Sequence, residues 1–132
     1  MNQLPSIVGA RRLQVLEAEM LKLPQVDCPV QHYFVDGLYT RQIFIPAGTL
    51  LVGYIHTQPC ITTLSKGKIL IADGESQVEF EAPMTMTCAA GTKKAGYAIE
   101  DSMWADTYLN LDNERDPDKL KAKFTMVEGE LR

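Results

Sequence analysis

From residue 32 onward the chain is cut into short runs of alternating apolar and polar side chains, each closed by glycine, proline or aspartate. In QVEFEA (77–82), Val78, Phe80 and Ala82 fall on one face and Glu79 and Glu81 on the other. That is the period of two expected of a half-buried strand. MTMTCA (84–89) repeats it with Met84, Met86 and Cys88. HYFVDGLYTRQIFI (32–45) reads as a hairpin turning at Asp36-Gly37, a preferred two-residue turn between β-prone runs. PAGT (46–49), SKGK (65–68) and DGES (73–76) supply further turns, and SMWADTYLNL (102–111) reads as a last strand. About eight short strands at this spacing predict an all-β sandwich or small barrel.

The two ends of the chain follow a different period. Leu13, Leu16, Met20 and Leu23 recur at three and four residues, predicting an amphipathic helix over about 6–23, with Ser6 as its cap and Pro24 as its stop. A short second helix is expected over about 116–124. Asp116 stands at the cap, Pro117 at the first helical position, and Leu120, Phe124 and Val127 form the apolar face. Neither a linker nor an internal repeat divides the 132 residues, so one domain is expected.

Charge narrows the function classes. A formal net charge of −4 argues against bulk binding of DNA, RNA or an anionic membrane. It leaves room for a small anion in a local basic pocket. No apolar run reaches the length of a membrane span, and the first twenty residues lack the basic start and apolar block of a secretory signal. Three cysteines without regular spacing fit free thiols in a reducing compartment. The expected location is cytoplasmic.

The most informative stretch for chemistry is YIHTQPCITTLSKG (54–67). On an unbroken strand, Tyr54, His56, Gln58, Cys60 and Thr62 share one face, although Pro59 favours an irregularity. A metal needs three or four donors. His56 and Cys60, with His32 and conceivably Cys28, are the candidates. The plainer reading, preferred here, is that His56 and Gln58 line a polar cavity. Cys60 with His56 could form a thiolate–imidazole pair, yet no oxyanion hole or orienting group accompanies it. Cys88 reads as a small buried apolar residue, and Glu79 with Glu81 as a solvated face.

The order of turn IPAGT (45–49), histidine-bearing strand, LSKG (64–67) turn, acidic strand and AAGTKKAGYAIED (89–101) resembles the cupin superfamily. It looks most like small cupin-like proteins encoded by bacteriophages. The resemblance covers about residues 26–111. It implies a mainly β jelly-roll barrel and, in the usual family member, a metal held by a His-x-His pair and a later histidine. Here His56 matches the first histidine, Gln58 stands at the second, Gly91 keeps the second motif's glycine, and Lys94 stands where its histidine falls. That substitution pattern removes the usual donors, so no cofactor is expected.

The remaining candidates are basic and aromatic. Arg41, Tyr54, His56, Lys93, Lys94, Tyr97 and Trp104 are the expected ligand-binding residues. Cationic side chains hold phosphates and aromatic faces stack on bases. For each residue alone a role in the barrel wall, or for the lysines a solvated turn, is the ordinary alternative. The expectation is a non-catalytic binder of a small anionic ligand. If phage-encoded, it would sequester a cyclic nucleotide immune signal in the infected host's cytoplasm. The alternatives are a metal-dependent cupin enzyme of isomerase or dioxygenase type, and a phage structural or assembly protein. Ile55 and Ile61 are expected on the outer face, opposite His56, and with the helix stripe they point to a homodimer or higher homo-oligomer.

Overall fold

The computed structural model describes residues 7–126. After helix α1 (Ile7–Met20) come β1 (Val30–Val35), β2 (Gly37–Ile45), β3 (Leu50–Val52), β4 (Ile55–His56), β5 (Cys60–Lys66), β6 (Lys68–Ala72), β7 (Gln77–Glu81), β8 (Met84–Cys88), β9 (Ala95–Ala98) and β10 (Ser102–Asn110). Helix α2 (Pro117–Phe124) and β11 (Thr125–Met126) complete the described chain. The strands form a five-stranded antiparallel sheet in the order β1-β2-β10-β5-β8, a four-stranded one in the order β3-β9-β6-β7, and a ribbon of β11 with β4. Ile43, Ile45, Leu64, Ile69, Phe80, Met86, Ala98 and Trp104 meet in a core to which both large sheets contribute. The expected mainly β barrel-like sandwich with a helix at each end is the observed architecture.

Local chemistry accounts for the joints. The hairpin turns at Asp36-Gly37, with Val35 opposite Leu38. At the turn between β5 and β6, Gly67 has φ 94°, and a Cβ there would lie 2.3 Å from the Asp101 carbonyl. Only glycine fits both demands. Asp116 caps α2 by accepting from the Asp118 and Lys119 amides, Pro117 opens the helix, and Leu120 and Phe124 turn into the core.

Three expectations change. Ser6 and Val127 lie outside the described residues. Leu23 falls beyond α1 and is exposed, because the Lys22 and Leu23 amides bond back to Glu19 and Met20, tightening the last turn and rotating Leu23 off the stripe. The run 50–57 is not one strand. It breaks at Gly53-Tyr54 and again before Cys60, which turns β4 out of both sheets into its ribbon with β11. Ile55, expected outside, is therefore 0% exposed, whereas Ile61 is outward and 51% exposed as expected.

Candidate functional site

Inward positions of four strands converge on one polar cluster. β2 contributes Tyr39 and Arg41, β5 contributes Cys60 and Thr62, β8 contributes Cys88, and β10 contributes Trp104, Asp106 and Tyr108. Strand alternation places each set on one face, and the register brings the sets together. Arg41 lies opposite Asp106, Asp106 opposite Thr62, and Cys60 opposite Cys88.

The loop after β8 brings in the remaining two groups. Gly91, at φ 86°, donates its amide to the His56 carbonyl at 2.7 Å, and the His56 amide donates to the Thr92 carbonyl at 3.1 Å. Thr92 Oγ1 closes the turn by donating to the Ala89 carbonyl at 2.6 Å. Beyond this turn two successive lysines point in opposite directions. Lys94 turns inward, its Nζ 2.8 Å from Cys88 Sγ and 5.9 Å from the centre of the Trp104 ring. Lys93 turns toward α1, fully buried, and donates to Glu17 and to the Gly53 carbonyl, each at 3.0 Å.

His56 is set by its one strand partner, β11, and by a side chain of β10. β11 pairs Thr125 with it, and Tyr108 shares a 2.9 Å hydrogen bond between its hydroxyl and His56 Nδ1. Phe124 stacks on Tyr108 with centroids 4.4 Å apart, and Tyr39 and His32 extend the aromatic row outward. Burial holds the His56 pKa below 6.5; Asp106 pulls it upward, while Lys94 and Arg41 push it down. The imidazole is therefore neutral near pH 7. Burial, with the Asp106 charge, raises the Tyr108 phenol far above its ordinary value, so it stays protonated.

The two sulfurs form the other pole. Thr62 Oγ1 lies 3.4 Å from Cys88 Sγ and 3.8 Å from Cys60 Sγ, and donates to Asp106 at 2.5 Å. A hydrogen bond from Cys60, together with the Lys94 ammonium, lowers the Cys88 pKa to about 5, against the opposing effect of burial. The same hydrogen bond, burial and the Asp106 charge raise that of Cys60. Cys88 is thus the more acidic thiol of the two, with the Lys94 ammonium beside it, while the Cys60 thiol faces Asp106 at 3.9 Å.

Of the residues singled out in the sequence, Arg41, His56, Cys60, Lys94 and Trp104 belong to this cluster. Tyr54 and Tyr97 are exposed, and Tyr54 carries Lys121 over its ring at 4.5 Å. His32 sits on the edge strand, bonded to the Tyr39 hydroxyl at 2.7 Å. Sequence reasoning left Asp106 and Tyr108 out of the site, put Thr62 on the His56 face without a role, and read Cys88 as a small buried apolar residue. Strict alternation along β5, β8 and β10 placed them inward. The signal it lacked was which strands are neighbours.

These donors do not fit the metal common in barrels of this kind. Among the described residues, no three His, Cys, Asp or Glu side chains are placed to share an ion. The Nδ1 of His56 is engaged by Tyr108, and a lysine ammonium already lies against Cys88.

Comparison with known proteins supports the fold. No protein-family model matches the chain, and no curated protein matches it significantly. Many solved structures do. Acetylacetone dioxygenase from Acinetobacter johnsonii superposes with a TM-score of 0.52 at 18% identity over 70% of this chain and 72% of its own. KdgF from Halomonas sp. gives 0.55 at 14%, over 70% and 86%. A cupin-2 domain protein from Shewanella frigidimarina gives 0.51 at 9%, over 72% and 92%. The chain therefore has the cupin fold. At these identities the likeness extends to the fold alone.

Proposed function

We propose that the protein is a small-ligand-binding cupin that holds an anionic ligand in its barrel without turning it over. The observation that carries this reading is the pair of cations in one barrel interior, Arg41 on the inner face of β2 opposite Asp106 and Lys94 turned inward beside Trp104. Protonated Tyr108 and neutral His56 add hydrogen-bonding partners beside them. A cavity of about 40 Å³, lined by Lys94, Cys88, Thr92, Met86, Phe80 and Ser76 among others, adjoins the cluster.

The finer form of this reading is a phage-encoded sponge for a cyclic nucleotide. Pockets that enclose ligands of that size measure roughly 300 Å³ or more. A nucleotide would therefore put only its phosphate near Lys94, with its bases at the barrel mouth or against a second copy. A second copy has a surface to meet: Val35, Leu38 and Leu109 are adjacent in register on the outer face and exposed. Light scattering at micromolar concentration is expected to give a dimer or larger, and a 14.7 kDa particle would remove the homo-oligomer.

Titration calorimetry tests the binding role. Phosphate, small carboxylates and cyclic di- and trinucleotides form the screen, with Lys94→Met as control. Heat from at least one anion, lost in Lys94→Met, is expected. Silence from all of them overturns the reading. The competing reading, a metal-dependent enzyme, requires stoichiometric metal in protein purified without added ions, which elemental analysis detects directly.

A further inference from the structure

We propose that Cys88 and Cys60 are a redox pair, in which Cys88 is oxidised by a small hydroperoxide entering through the cavity and Cys60 then closes an inter-strand disulfide. It shares Lys94 and the cavity with the anion-binding role but draws on a different chemistry, that of the two sulfurs, and is read by disulfide mapping rather than by binding heat.

Geometry comes first. Cys60 and Cys88 are direct partners across antiparallel β5 and β8. Opposed residues in such a pair have Cα atoms roughly 4.5–5.5 Å apart, inside the roughly 4.4–6.8 Å span that a disulfide bridges. Both sulfurs turn inward and share Thr62 Oγ1 as a neighbour. The strands need no rearrangement to bring them together.

Access comes second. Cys88 and Met86 line the cavity together with Lys94 and Thr92, and its other walls are the β6–β7 turn residues Asp73 and Ser76 and the strand residues Ile71, Gln77, Val78 and Phe80. Cys60 does not line it. At about 40 Å³ the space admits a molecule of a few heavy atoms, since roughly 10–15 Å³ suffices for one water. The cavity thus presents one sulfur to an entrant and keeps the second behind it, the arrangement of an attacking and a resolving thiol.

Reactivity comes third. A thiolate is the nucleophile toward peroxide, and Lys94 lies 2.8 Å from Cys88 Sγ. Cys88 sulfur attacks one peroxide oxygen and the O–O bond breaks. The sulfur gains a hydroxyl and is oxidised by two electrons. The departing alkoxide or hydroxide takes a proton from the Lys94 ammonium or from water and leaves as alcohol or water. Cys60 sulfur then attacks the Cys88 sulfenic acid. The S–S bond forms, and the hydroxyl leaves with the Cys60 proton as water. The peroxide is the oxidant, and an external thiol restores the pair.

The test uses the full chain with hydrogen peroxide as the probe. After brief exposure to a few equivalents, remaining thiols are blocked with N-ethylmaleimide and the protein is mapped by mass spectrometry. A peptide pair linking Cys60 to Cys88, lost on treatment with dithiothreitol, is expected, with Cys28 still alkylated. In Cys60→Ser, dimedone is expected to trap a sulfenic acid at Cys88. In Lys94→Met, the pH at which linkage reaches half its maximal rate is expected to move up from about 5, so linkage within one unit of that pH slows several-fold. Oxygen added to Met86 while both barrel cysteines remain alkylatable overturns the proposal. So does a disulfide through Cys28.

Discussion

Lys93 and Lys94 are consecutive in the chain and end in opposite kinds of surroundings. Lys93 is sealed under α1, its charge met by Glu17 and a backbone carbonyl. Lys94 points into the barrel, where its partners are a sulfur and an indole face. The first site joins two pieces of the fold. The second lies against a thiol whose pKa it lowers and adjoins a cavity. A buried lysine whose partner is a carboxylate holds structure together, whereas one whose partner is a thiolate alters chemistry.

Substitution of each lysine by methionine sharpens the contrast. Lys93→Met removes the charge facing Glu17 and is expected to cost about 3–5 kcal/mol, read as a lowered urea midpoint. Lys94→Met is expected to lower the midpoint by less than Lys93→Met, with a loss that fades as pH falls toward 5, while raising the pH at which Cys88 is alkylated. Equal losses of stability would erase the distinction.

Acidity tests the Lys94 side alone. Unfolded, Cys88 titrates near 9.0, and folded near 5, so in that interval the unfolded chain carries a proton that the folded one lacks. Its contribution is complete above 9.0 and is lost as pH falls toward 5. His56, lowered from 6.5 by burial, adds a loss of the same sign below 6.5. The opposite shift of Cys60 acts only above 9.0. Urea midpoints should therefore drop steadily between about pH 8 and pH 6, and Cys88→Ser should flatten that slope. An unchanged slope would place the thiolate elsewhere. The smallest effect is expected from Tyr108→Phe, about 1 kcal/mol for one hydrogen bond to His56, seen as a change in the histidine's NMR titration.

The fold was legible because alternation and turn chemistry act locally. Val78 through Ala82, the Asp36-Gly37 turn and the Asp116-Pro117 helix start each carry their own instruction. The site was half legible for the same reason. Arg41, His56 and Trp104 could be placed inward from their own strands. Cys88 read as an inert small residue because its meaning comes from Cys60 across a strand boundary, and from a lysine delivered by a loop. Lys93 and Lys94 could not be told apart, since which of the two faces the barrel depends on how the loop after β8 enters β9. Ile55 went astray where the strand broke and its pairing passed to residues about seventy positions later, a contact no local pattern encodes.

That late pairing bears on synthesis. The segment 117–126 packs Phe124 on Tyr108 and hydrogen-bonds β11 to the strand carrying His56. A nascent chain emerging from the ribosome therefore holds its imidazole on an unfinished rim until residue 126 has cleared the exit tunnel.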